Sequence, residues 1–155
     1  MKSRVKVLIS AVLVFSLMFS GQVFASSSNE AKTEPPPLEV APFTIFDPDF
    51  KYLDDGAGYI SYNGDKKVNI WGQTLGTRKV DTIGVQLTLQ RWTGNDWLDV
   101  NTGPNSTYSD ASYAYYTDDI PVIEGCYYRV KSKHWIKYGN VKEEGFRYSN
   151  SILIK

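Results

Sequence analysis

From Cys126 to His134 every second side chain changes character. Cys126, Tyr128, Val130, Ser132 and His134 are apolar, small or weakly polar, while Tyr127, Arg129, Lys131 and Lys133 are hydroxylated or cationic. A repeat of two is the signature of an extended strand with one dry face and one wet face. Ile83, Val85, Leu87 and Leu89 alternate with Gly84, Gln86, Thr88 and Gln90 in the same way. Two such strands need other strands beside them and across from them to cover their dry sides, and no stretch after the N-terminal region has a helical repeat.

The remaining chain reads as short strands with turn punctuation. Tyr59 to Tyr62 is strand-like and Asn63-Gly64 is a strong turn signal; Val68, Ile70 and Gly72 then alternate with Asn69, Trp71 and Gln73. Gly76-Thr77-Arg78 reads as the start of a loop. A four-residue loop between Trp92 and Trp97 predicts a hairpin that sets Trp92 opposite Trp97, Gln90 opposite Asp99 and Leu89 opposite Val100. Tyr108 to Thr117 is tyrosine-rich and ambiguous in phase, Ile120 to Gly125 reads as a corner, and Gly139-Asn140 marks a turn. A last strand is expected to carry Phe146, Tyr148, Asn150, Ile152 and Ile154 on one parity. About seven antiparallel strands at this spacing predict an all-β immunoglobulin or fibronectin type III-like β-sandwich.

The N-terminus supplies three cations (Lys2, Arg4, Lys6), an apolar run from Val7 to Phe19, and a small residue at Ala25. That three-part pattern predicts a signal peptide over 1–25 and hence a secreted, extracellular protein, associated with the cell wall or diffusing from it. Five of the seven prolines fall between Ser26 and Asp55. Residues 26–55 therefore read as a Pro-rich linker, solvated to about residue 41, with an apolar leading segment at 43–52 that could dock on the domain. The domain itself is expected over 56–155. Removing three of 17 basic residues and none of 17 acidic ones leaves 14 against 17, a net charge of about −3. Such a balance argues against nucleic acid as a partner. No membrane span is expected after cleavage, and a monomer or weak dimer is. Cys126 is the only cysteine, so no disulfide can form within the chain.

Leu87-Thr88-Leu89-Gln90-Arg91-Trp92, Trp97, Gly125-Cys126-Tyr127-Tyr128-Arg129-Val130 and His134 together resemble a family of short secreted proteins of Gram-positive bacteria. Its members carry one immunoglobulin-like domain and no assigned function. The resemblance covers roughly residues 56 to 155, and it implies a fold and no catalytic residue. Tyr128-x-Val130 is also similar to the tyrosine corner of fibronectin-type domains, in which a Tyr hydroxyl ties a corner to the backbone.

For chemistry the sequence offers little. His134 lies on the dry parity with no nucleophile in a recognisable setting, and one His with one Cys does not make a transition-metal site. Asp47, Asp49, Asp54 and Asp55 lack the spacing of a calcium loop. No enzyme activity, metal or cofactor is expected. The wet face is the candidate: Trp92, Trp97, Tyr127, Arg129, Lys131 and Trp135, with Lys133 and Arg147 nearby, interleave aromatic rings with cations on a flat sheet. Such a face suits a cell-wall glycan or another extracellular protein; alternatively the rings and stems simply shield the sheet. The leading reading is a secreted, non-enzymatic binding module. A structural component that self-associates through edge strands or Cys126 is the second.

Overall fold

The structure is a computed structural model that describes residues 31–37 and 46–155. The expected signal peptide, residues 26–30 and 38–42 of the Pro-rich linker, and residues 43–45 of the leading segment lie outside those described residues. The described chain is all-β, with seven strands: β1 (Leu53–Tyr62), β2 (Lys67–Trp92), β3 (Trp97–Thr102), β4 (Ser106–Pro121), β5 (Tyr127–Tyr138), β6 (Val141–Tyr148) and β7 (Ile152–Leu153). Every pairing is antiparallel and all seven strands belong to one sheet. No helix among the described residues is long and apolar enough to cross a membrane.

The spine is β2, which is 26 residues long. Its first part lies between β1 (Leu53↔Gly76 to Tyr62↔Val68) and β4 (Lys67↔Pro121 to Leu75↔Tyr113). Its second part lies between β5 (Thr82↔Lys137 to Arg91↔Tyr128) and β3 with the start of β4. Between these parts the register with β4 shifts from Leu75↔Tyr113 to Val80↔Ala111, and Asp110 takes a positive φ of 48°. The sheet thereby curls so that the inner sides of its two halves meet. Val68 and Ile70 from one half and Ile83, Val85, Leu87, Leu89 and Val130 from the other are fully buried. The expected alternation of 83–89 and 126–134 thus places its dry residues in the core.

Three expectations need correction. Residues 76–78 do not open a loop: the backbone stays extended through them, because one strand has to carry the chain from one half of the sheet to the other. Thr77, Arg78 and Lys79 are exposed there; Thr77 donates to the Lys51 and Tyr52 carbonyls and Lys79 pairs with Asp110 at 3.7 Å. In the hairpin Trp92 faces Trp97 and Gln90 faces Asp99 as expected, but a bulge at Leu89/Gln90 sets Leu89 opposite Asn101. The extra residue is Val100, left 40% exposed. At the C-terminus β6 ends at Tyr148 and β7 starts at Ile152, so the single parity breaks: Phe146 and Tyr148 face outward and Ile154 is fully buried.

The leading segment docks on the domain. Phe46 is buried against Gly145, meets the His134 ring edge-on at 5.6 Å, and lies 4.3 Å beneath the Arg147 guanidinium. Residues 31–37 are mostly exposed yet touch the domain too: the Lys32 N–H donates to the Gly125 carbonyl at 2.6 Å.

Close approach of the two halves depends on glycine at several points, Gly56, Gly58 and Gly72 among them. A Cβ on Gly56 of β1 would lie 2.5 Å from ring atoms of His134, which is itself fully buried and cannot swing aside. Gly56→Ala is expected to cost about 2 kcal/mol through overpacking, read as a lower urea midpoint at unchanged slope.

Candidate functional site

The expected site residues do share one surface, the outer face of β3, the second part of β2, β5 and β6, but they are not equally available. Trp92 is only 7% exposed: its indole N–H donates to the Glu34 carbonyl at 3.1 Å, and its ring lies 5.4 Å from Trp97. The cover therefore comes from the proline-rich stretch rather than from 46–52. Arg129 is 8% exposed, with its guanidinium 4.2 Å from the Trp97 ring centre and 4.5 Å from that of Tyr148. Its Nε–H donates to Gln90 Oε1 at 2.8 Å, and Gln90 Nε2 donates onward to Asp99 at 2.6 Å. A desolvated cation is thus held by two rings and a relay ending in a carboxylate.

Trp97, Tyr127, Lys131 and Trp135 are half-buried. Lys131 and Lys133 reach over the Phe146 ring at 5.3 and 5.9 Å, and Lys133 also pairs with Glu144 at 3.4 Å. Trp135 lies apart from the others, flat across Gly84, and its indole N–H donates to Asn105 Oδ1 at 2.8 Å. What remains open is a ridge formed by Phe146 and Tyr148, about two-fifths exposed, flanked by the lysines. The sequence pointed to the right face but missed these two rings, because the expected single parity placed them with Ile152 and Ile154.

His134 sits in the core. Its Nδ1 is 2.7 Å from Thr74 Oγ1 and its Nε2 is 2.8 Å from Ser132 Oγ. The Thr74 hydroxyl donates to the Gly84 carbonyl at 3.0 Å, so it accepts from Nδ1–H, and Ser132 donates to Nε2. Burial first, and the Arg147 charge second, push the imidazole down to about 4, with Asp55 opposing. A serine hydroxyl on a neutral imidazole has the composition of a nucleophile and base, a juxtaposition the sequence did not reveal. Both groups are fully buried, however, so no substrate reaches them in this conformation.

Opposite that core, β1 and the β6–β7 region leave a groove of about 670 Å³, lined by Asp55 to Ile60 on one wall and by Arg147 to Asn150 and Ile152 on the other. The Asp55 carboxylate and the Arg147 guanidinium approach to 3.5 Å across it. Tyr59 lines the groove and stacks on Trp71 of β2 with centroids 5.2 Å apart and planes 16° apart. The pairing of half-exposed Tyr59 with Trp71 could not be read from either strand alone, since it depends on their register. Among the described residues no cluster of three His, Cys, Asp or Glu side chains could hold a metal ion.

No family model and no curated protein matches the chain. Among solved structures it is similar to a protein described as "Crystal structure of protein from Archaeoglobus fulgidus", at 17% identity and a TM-score of 0.34, over 66% of this chain and 98% of that one.

Proposed function

We propose that the protein is a secreted, non-enzymatic binding module of immunoglobulin-like β-sandwich type, which engages an anionic glycan of the cell envelope through the outer face of β5 and β6. The sandwich reading is supported by the meeting of the two inner faces and by the corner before β5. There the Ile123 N–H donates to the hydroxyl of buried Tyr128 at 3.0 Å, the tie that a tyrosine corner makes. The binding reading rests on one observation: Lys131 and Lys133 reach over the Phe146 ring, beside the exposed Tyr148 on which the buried Arg129 is stacked. Cations held in place by rings lose little side-chain freedom when an anion arrives, and exposed rings beside them offer a sugar a surface. A flat face suits an extended polymer better than a compact small molecule.

Trp92 is a poor probe of this face, since it is buried under Glu34 and its loss would disturb folding. Lys131→Ala combined with Phe146→Ala is the informative variant. In co-sedimentation with purified anionic wall polymer, the double variant is expected to lose about tenfold in affinity, and the wild type to lose affinity as salt is raised. Unchanged, salt-insensitive retention by a folded double variant overturns the assignment.

A further inference from the structure

We propose that the groove between β1 and the β6–β7 region is a second binding site, meeting the β5–β6 face at Tyr148, that takes a neutral oligosaccharide, with one sugar ring lying on Tyr59. Its volume, about 670 Å³, lies within the range of small-ligand clefts. The β1 wall is an open strand edge, since among the described residues β1 pairs only with β2; on the other wall the outer edge of β6 is open as far as Tyr148, and beyond it the Ser149 N–H donates to the Val130 carbonyl. In an antiparallel strand alternate residues turn both N–H and C=O to the same side, so such edges present donors and acceptors to whatever lies in the groove. Hydroxyl groups can use both.

Tyr59 supplies the apolar part of the site. It is 43% exposed, and Trp71 covers one face of its ring in a nearly parallel stack. Because β1 ends the sheet, no strand among the described residues is hydrogen-bonded to β1 on its groove side. A ring backed by a second ring is held still, and a still, half-exposed aromatic face matches the axial C–H face of a pyranose. The Tyr59 hydroxyl and the Asn150 amide make no hydrogen bond among the described residues, so both are open to sugar hydroxyls.

Charge selects the class of ligand. The charged side chains in the lining are Asp55 and Arg147, and they neutralise each other at 3.5 Å. The outward residues of the neighbouring β1–β2–β4 surface include Asn69, Gln73, Thr117 and Asp119 and no cation between Asn69 and Leu75. An anionic polymer gains nothing here, unlike on the β5–β6 face, and a neutral glycan loses nothing. An extended peptide could also add to an open edge, but it would have no use for the Tyr59–Trp71 stack.

The experiment uses ¹⁵N-labelled protein titrated with cellotetraose and chitotetraose. Saturable binding of either sugar, with shifts at Tyr59, Asn150 and their neighbours, is the expected result. Tyr59→Ala should weaken that binding about tenfold. Tyr59→Phe should retain most of it, which separates stacking from loss of fold. The Lys131→Ala and Phe146→Ala substitutions should leave it unchanged, so failure of the β5–β6 face and failure of the groove are told apart. Absence of binding by both sugars, binding indifferent to Tyr59→Ala, or capture of an extended peptide in place of sugar overturns the proposal.

Discussion

Between pH 6.5 and pH 4 the folded protein is expected to lose about 3 kcal/mol of stability through one residue, His134. In the unfolded chain the imidazole takes up its proton near the ordinary value of 6.5, whereas in the fold it does so only near 4. Over that window the unfolded state binds more protons, so each unit of acidification favours unfolding; below the window both states are protonated and the loss levels off. The neighbours explain why the fold bends rather than breaks. Thr74 already donates to the Gly84 carbonyl, and the Ser132 hydroxyl lies 3.3 Å from the Arg147 carbonyl. Both hydroxyls can therefore accept from a doubly protonated ring. The cost lies in placing a cation in the core beside Phe46 and the Arg147 guanidinium, with Asp55 giving partial relief. Urea titrations from pH 7 to pH 4 on the wild type and on His134→Gln provide the check. The variant starts lower but falls more gently, and parallel curves refute the assignment.

How much of this was legible in the sequence follows from what a period-two pattern can carry. Alternation fixes which side of a strand is dry, so Ile83 to Leu89 and Cys126 to His134 were readable, with their inner residues at or near zero exposure. It cannot fix where a strand bends, because the side chains at a bend are polar for the same reason that those in a loop are. Gly76-Thr77-Arg78 reads as the start of a loop on that account, and one 26-residue strand as two. Nor can it see a one-residue bulge, which is why Val100 was misplaced. The face holding Trp97, Arg129 and Lys131 was accessible to pattern reading. The burial of Trp92 was not, because it depends on a stretch 58 positions away with no pattern of its own. The Tyr59–Trp71 stack and the His134–Ser132–Thr74 cluster depend on contacts between separate strands or halves of the sheet, and only the register reveals them.

Glu143→Ala is expected to cost about 3 kcal/mol, more than an ordinary substitution on a strand facing water. Glu143 of β6 is 6% exposed; its Oε1 accepts the Lys51 N–H at 2.8 Å, and its Oε2 accepts the N–H groups of Tyr52 at 2.9 Å and Leu53 at 2.7 Å. Bonds from backbone N–H to a carboxylate are stronger than neutral ones, and removing the acceptor strands the donors. Lys51 is exposed and can turn to water, but Leu53 is 3% exposed and cannot. Glu143→Gln keeps one oxygen for Tyr52 and Leu53 and sets an amide N–H₂ against Lys51, so its loss should be nearer 1 kcal/mol. Hydrogen exchange at the three amides should accelerate in the order wild type, Gln, Ala. The substitution also reaches the first prediction. Glu143 anchors the start of β1 and the segment that lays Phe46 over His134. Freeing that segment admits water to the imidazole, raises its pKa toward 6.5, and flattens the dependence of stability on pH between 6.5 and 4. A Glu143→Ala protein that is destabilised yet keeps the full wild-type slope would show that Phe46 does not shield the ring.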